Sequence, residues 1–423
     1  MRSRASGIRA SMGSVSIVGN LGDLLVQQTD QGWNFTDGFV CGGCVEDDAL
    51  RTILRENEDA DLHCDFCSSA PAAHLDALLE AFVNGLRNEY EDALDGVWWD
   101  GREGGFRWHP QWDTWDLVDD FYWVFSSQEL LDAVRAAVHH ITWVEKDFIT
   151  RRRDDVLIEA WDRFCEAVKH KTRFVIWLLS PDEDDLAPGE IPPAEILEHI
   201  APLLERLDLV RHLPAGYRVW RARTHCSSPI EHTASALGTV PDKVALSANR
   251  MSPAGIPMFY GATDADTAIT EVTYAYEDTH VTWCQFELTA DLQVVDLTRL
   301  PPEPSMFDPE LGSIRRQIRF LNMFVQQLSD RIEPDHEQID YVPTQIVTEY
   351  LLHVHGGDDR VRGLVYRSSV ADGACVALDI PNDNCVDPAT SSANDFPQIQ
   401  LVADSIRTDR IELATARGSV RPS

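Results

Sequence analysis

Between Leu246 and Glu271 the chain reads LSANRMSPAGIPMFYGATDADTAITE, and three of these residues could share one task. Arg250 is followed ten residues later by Tyr260 and eleven further on by Glu271. Together they would supply a cation for an anionic ligand, a ring face for stacking and a carboxylate for developing positive charge. The same stretch contains the elements that must position them. Pro253, Gly255 and Pro257 make a tight, stiff loop. It feeds a short apolar strand, Met258-Phe259-Tyr260, which Gly261 is expected to break. Asp264 is placed to cap a helix whose apolar stripe is Ala268, Ile269 and Val272. Glu271 then falls in the second turn, able to look back over the strand end that presents Tyr260. Singly, each residue has a plainer reading: a solvated loop arginine, a core tyrosine, a water-facing glutamate. It is the ordered set in a strand–loop–helix context that favours a site.

The flanking sequence extends the set. Upstream lies the strand-like WRAR of Trp220 to Arg223, and downstream GLVYRSS ends in Ser368 and Ser369. In order and spacing these pieces resemble the RES domain, named for Arg, Glu and Ser, over roughly residues 210–415. The resemblance matches Arg221 to the family's first arginine. Arg223 and Arg218 stay as rivals, and Arg223 would keep the same strand face. It matches Ser368 to the family's serine, with Ser369 one residue out of register.

Toxin members of that family degrade NAD, so the resemblance implies NAD+ as a substrate and not as a cofactor. Splitting NAD+ at its nicotinamide–ribose bond passes through an oxocarbenium-like ribose, and the leaving nicotinamide needs no acid because it is already cationic. Glu271 would hold the ribose hydroxyls and stabilise that charge. Tyr260 would stack on the nicotinamide ring. Arg250 and Arg221 would bind the dianionic pyrophosphate through bidentate guanidinium contacts. Ser368 would bind a phosphate oxygen or orient the nucleophile. The implied acceptor is inorganic phosphate or water. Transfer to a protein, as an ADP-ribosyltransferase would perform it, is the alternative. An inactive binding module is a further one.

Cys41-Gly-Gly-Cys44 and Cys64-Asp-Phe-Cys67 form CxxC–x19–CxxC, two knuckles whose thiolates would fill a tetrahedral, structural zinc site. From about residue 71 the pattern turns helical, with Leu75, Leu78, Leu79, Phe82 and Leu86 on one face. Ser126 to Glu129 reads as a capping box opening a second helix, and a third runs through Val156, Trp161, Phe164 and Val168. The tryptophan-rich stretch between the first two, from Gly96 to Phe125, is expected to lock onto the bundle. This zinc-plus-helices arrangement resembles the HEPN-associated amino-terminal domain that some RES proteins carry. Arg163 and His170 formally satisfy the Arg-x4–6-His motif of HEPN ribonucleases, a match that also arises by chance on a polar helix.

The expected organisation is a disordered lead-in over 1–35, with Met12 a second candidate start, then a four-cysteine motif over 36–70 and a helical domain over 71–180. An acidic, proline-rich linker over 181–195 precedes a RES domain over 196–423. The fold class is α+β: zinc knuckle, helical bundle and a mixed α/β RES domain resembling the ADP-ribosyltransferase fold. Its strands are expected near 217–223, 258–261, 281–289, 293–298, 363–368 and 374–380, and its helices over 265–275, 312–330 and 343–355. Neither a βαβ rhythm nor a GxGxxG fingerprint points to a Rossmann site.

Seventy acidic against 36 basic residues give a net charge of −34, a surface that repels nucleic acid and anionic membrane. Apolar runs such as Phe174 to Leu179 are too short to span a bilayer. Nine cysteines, four of them in CxxC pairs, do not form a disulfide framework, so a cytoplasmic protein is expected. The resemblance implies restraint by an antitoxin, either a separate protein or the amino-terminal half of this chain, and the helical half is compatible with a homodimer.

Overall fold

A computed structural model describes residues 31–96, 99–100, 105–106, 110–146, 153–178, 190–226, 230–273, 280–330, 332, 336–355, 360–388 and 398–411. Most of the expected lead-in and of the acidic linker lies outside the described residues. The chain divides into two compact units, Met1–Phe148 with Pro304–Arg315, and Ile149–Glu303 with Arg316–Ser423.

In the first unit Asp47 caps helix α1 (Asp48–Glu56), its carboxylate accepting from the N–H groups of Ala49 and Leu50. Helix α2 (Leu75–Glu89) buries the whole expected stripe and Val83 besides. Its Phe82 stacks on Phe307 at 5.2 Å and tilts against Phe125 at 5.3 Å. Helix α3 (Thr114–Asp120) and helix α4 (Gln128–Ala137) follow it along the chain. The cap of α4 is Ser127 and not Ser126: the Ser127 hydroxyl accepts from the Leu130 N–H at 3.3 Å. Replacing Phe82 with alanine is expected to cost about 3–5 kcal/mol, the usual range for emptying a buried aromatic site. A denaturant titration of this unit would read that loss, and a change below about 1 kcal/mol would refute it.

This unit also carries strands that the sequence did not announce. Tyr90–Asp92, Thr142–Glu145 and Trp112–Asp113 form a three-stranded sheet. Strands of two to four residues are too short for alternation to register as a signal. The tryptophans divide. Trp143 is buried and its indole N–H donates to the Thr114 hydroxyl at 3.0 Å, but Trp115 and Trp123 stay 52% and 49% exposed, so tryptophan density does not seal this stretch. Trp98 and Trp108 lie outside the described residues.

The second unit is built on a nine-stranded mixed sheet. We label its strands β1 (Val210–Leu213), β2 (Arg218–His225), β3 (Phe259–Ala262), β4 (His280–Leu288), β5 (Leu292–Asp296), β6 (Gly363–Arg367), β7 (Ala374–Leu378), β8 (Cys385–Val386) and β9 (Ile399–Arg410). Their spatial order is β8-β9-β4-β2-β3-β7-β6-β5-β1. The pairs β5–β6 and β8–β9 are parallel, the others antiparallel.

Helices α5 (Arg153–His170), α6 (Ile196–Arg206), α8 (Arg315–Ser329) and α9 (Val342–His353) share one core, in which Trp161, Phe164, Phe320 and Phe324 are fully buried. Trp161 stands edge-on to Phe324 at 4.8 Å, and its indole N–H donates to Gln327 at 2.6 Å. The helix through Trp161, expected in the amino-terminal bundle, thus packs within the second unit. On it, Arg163 ion-pairs with Glu159 and Glu190, the behaviour of a surface charge. A second apolar cluster gathers Val219, Phe259, Phe286 and Leu401. Among the described residues no helix is long and apolar enough to cross a membrane.

Candidate active site

Strand order assembles the candidate residues. Across β2-β3-β7-β6, Ala262 pairs with Trp220 on one side and Cys375 on the other, and Cys375 pairs in turn with Tyr366. Gly261 does not end β3, which runs on to Ala262. Glycine is needed there for another reason: a Cβ would sit 2.8 Å from the Trp220 carbonyl oxygen, so its absence lets β2 approach. After β3 the chain turns into helix α7 (Ala265–Thr273). Asp264 caps it, accepting from the Thr267 N–H at 2.8 Å and the Thr267 hydroxyl at 2.8 Å.

These elements enclose a cavity of about 620 Å³ lined by Arg221, Arg223, Asn249, Tyr260, Glu271 and Cys375 among others. That volume falls in the range of small-molecule sites. Arg221 is buried, its Nε donating to the Leu237 carbonyl at 2.8 Å and its Nη1 to the carbonyl of Tyr260. The Arg221 guanidinium also lies 4.9 Å from the Phe259 ring. Arg223 donates to the carbonyls of Leu237 and Gly238. Neither guanidinium meets a carboxylate among the described residues. Burial, with the charge of Arg223 beside it, brings the Arg221 pKa down to about 9. A positive charge held in this way is poorly compensated, and an anionic ligand would relieve it.

The Tyr260 hydroxyl accepts from the Met251 N–H at 3.2 Å and shares a 2.9 Å bond with the Ser252 hydroxyl. Burial pushes the phenol up to about 12, so it stays neutral in ordinary buffers. Glu271 meets the Ser368 hydroxyl at 2.5 Å and the Cys375 thiol at 3.2 Å, both on its Oε1. Ser368 is itself oriented: its Oγ accepts from the N–H groups of Val370 and Ala371 at 3.1 and 2.9 Å. With both lone pairs engaged, the single hydroxyl proton is left for the carboxylate. Of the two adjacent serines, Ser368 makes this contact.

Arg250 is placed differently. Its guanidinium donates to the carbonyls of Leu328 at 2.6 Å and Asp330 at 2.7 Å, 5.3 Å from the Tyr341 ring. It does not line the cavity. The structure therefore brings Arg221, Tyr260 and Glu271 to one space, adds Ser368 through Glu271, and leaves Arg250 off the cavity lining, next in sequence to the Met251 N–H that seats Tyr260. Arg223 joins the lining in its own right. Cys375, within the apolar run ACVAL, carries no sequence signal beyond that of a core residue.

The turn that bears Ser368 is docked tightly. Its N–H donates to the Gly373 carbonyl at 3.0 Å, and a Cβ on Gly373 would collide with Thr267 and Asp264 at the start of α7. Gly373→Ala is expected to push that turn off α7 and separate Ser368 from Glu271. A crystal structure of the variant would read the Oγ–Oε1 distance, and an unchanged 2.5 Å would refute the wedge.

A second centre lies in the first unit. The thiols of Cys41, Cys44, Cys64 and Cys67 all stand within 4.8 Å of one another. The sulfur–sulfur separations are 3.8 Å for Cys41–Cys44, 3.4 Å for Cys41–Cys67 and 3.7 Å for Cys44–Cys64. Sulfurs about 2.3 Å from a tetrahedral ion would be about 3.8 Å apart, so the donor set fits a metal. Each knuckle is closed by its own backbone: the Cys44 N–H donates to the Cys41 carbonyl at 3.0 Å, and the Ser68 N–H to the Cys64 carbonyl at 2.8 Å. Ser68 takes φ 59°, the left-handed conformation that the second turn requires.

Comparison with known proteins adds to this geometry. Residues 57–182 match the model of HEPN/RES N-terminal domain 1, and residues 218–402 match that of the RES domain. No curated protein matches the chain. Among solved structures, the crystal structure of the M. tuberculosis MbcT-MbcA toxin-antitoxin complex is similar at 17% identity, covering 49% of this chain and 91% of that chain, with a TM-score of 0.28.

Proposed function

Because the chain belongs to the HEPN/RES proteins, we propose that it consumes NAD+ by breaking the bond between nicotinamide and ribose. One observation carries the reading. A buried guanidinium (Arg221) and a half-buried one (Arg223), neither with a carboxylate partner among the described residues, line the same cavity as a neutral tyrosine and a glutamate held by one oxygen. A dinucleotide offers a matching sequence of groups: a diphosphate for Arg221 and Arg223, a flat cationic ring for Tyr260, and a ribose for Glu271. Arg250, one residue ahead of the N–H that holds the Tyr260 hydroxyl, acts in this proposal by fixing the loop.

The bond electrons leave with the nicotinamide nitrogen, which becomes neutral, and positive charge spreads over the ribose C1′ and ring oxygen. Glu271 Oε2 opposes that charge across the cavity. An acceptor oxygen then closes on C1′: water releases a proton to solvent as the bond forms, whereas a phosphate dianion bonds through an anionic oxygen and releases none. Phosphate as acceptor makes the protein an NAD+ phosphorylase, and water makes it a glycohydrolase. The four-cysteine centre holds structural zinc, since all four positions are filled by protein thiols. Family resemblance supports a toxin or phage-defence effector working in the cytoplasm under restraint by an antitoxin protein.

Incubation of the purified protein with NAD+, with and without inorganic phosphate, tests this when products are weighed by mass spectrometry. Free nicotinamide is expected in at least one arm. ADP-ribose found bonded to protein would instead establish an ADP-ribosyltransferase. Intact NAD+ in both arms would overturn the reading.

A further inference from the structure

We infer that Cys375 is a positioning residue of this site, its thiol fixing Oε1 of Glu271 so that Oε2 faces the cavity. The inference rests on the proposal that Glu271 stabilises the reacting ribose. Cys375 sits on β7 with only 4% of its surface exposed, paired on one side with Ala262 and on the other with Tyr366. Its Sγ lies 3.2 Å from Glu271 Oε1, an ordinary separation for a sulfur donor.

The direction of donation follows from the chemistry. An ionised carboxylate has no proton to give, and the thiol has one. Burial, with Glu271 beside it, pushes the Cys375 thiol up and keeps that proton in place. A thiol is a weak donor to a neutral group, but the negative charge of the acceptor strengthens the bond.

Glu271 needs such a device. It lies on the exposed face of α7, where a glutamate side chain ordinarily samples several rotamers. Ser368 alone would anchor one oxygen and leave the carboxylate free to swing about that point. A second donor on the same oxygen, arriving from a different strand, fixes the plane of the group. Oε2 accepts no hydrogen bond among the described residues, so it is the oxygen available to a ligand. The competing reading is that Cys375 only fills space, which a serine or an alanine would do about equally well.

The two readings separate in kinetics. Cys375→Ala is expected to lower kcat for nicotinamide release about five- to tenfold with KM nearly unchanged, the scale of one ordinary hydrogen bond, as befits a weak thiol donor. Cys375→Ser restores a donor and should recover the wild-type kcat. Equal rates in all three proteins, or equal losses in both variants, would overturn the inference.

A second measurement needs no turnover. The infrared difference spectrum between the wild-type protein and Cys375→Ser isolates the S–H stretch of Cys375, which should lie at the low frequency of a hydrogen-bonded thiol. The corresponding pair made in a Glu271→Gln background should move that band upward. An unmoved band would refute the contact even if the protein proves inactive on NAD+. Absent nicotinamide release with a shifted band would refute the NAD+ reading and leave the thiol contact standing.

Discussion

Glu271→Gln is expected to slow nicotinamide release by about two to three orders of magnitude, the loss that follows removal of a group aimed at transition-state charge. The substitution preserves size and leaves an amide able to accept from Ser368 and Cys375, so folding should be unaffected. What disappears is the negative charge of a side chain that lines the cavity. That charge matters little to bound NAD+, whose ribose is neutral, and greatly to the oxocarbenium-like state. The expected signature is therefore a fall in kcat with a KM close to that of the wild type. Steady-state assays on the two proteins, with matched thermal melts, decide it. A variant losing less than about tenfold would remove Glu271 from the chemistry.

The largest effect on stability should come from the four cysteines proposed to hold structural zinc. Cys41, Cys44 and Cys64 are buried within the apolar cluster of the first unit, among residues such as Val40, Leu50 and Leu78. Structural zinc sites of this kind supply folding free energy on the order of 10 kcal/mol or more, comparable with the whole stability of a domain. A strong chelator, or Cys64→Ser, should therefore unfold the first unit outright. Near-ultraviolet circular dichroism would report it through Trp33, Trp112 and Trp143, and metal analysis should return one zinc per chain. A protein stripped of metal, verified as such, that retains its spectrum and melting temperature would refute the structural role.

The parts of the site legible in the sequence are those made by neighbours along the chain. Asp264, the α7 stripe and the strand carrying Tyr260 lie within a few residues of one another, and their turn and capping chemistry is local. Arg221 was legible by type and strand context, though its rival Arg223 also lines the cavity. What was not legible depends on contacts distant in sequence. The Arg250 guanidinium ends on carbonyls 78 and 80 positions away, and no spacing rule reports that. Strand β9, reading IQLVADSIRTDR, is polar along most of its length. Its membership in the sheet comes from pairing with β4 and not from an apolar pattern. The helix through Trp161 looked like part of a bundle because its stripe is real; which core receives a stripe is set by tertiary packing.

The segment Pro304–Arg315 has a practical consequence for anyone cutting this gene. It lies inside the span of the second unit yet completes the first, where Phe307 stacks on Phe82 and the Ser305 hydroxyl donates to Asp47 at 2.8 Å. A recombinant fragment beginning near residue 149 would carry Met306 and Phe307 stripped of the apolar surroundings they are built for, and its counterpart ending there would lack a piece of its own interior. Either fragment should precipitate or recruit chaperones where the uncut polypeptide does not, so dissecting the two units calls for point substitutions instead of truncation.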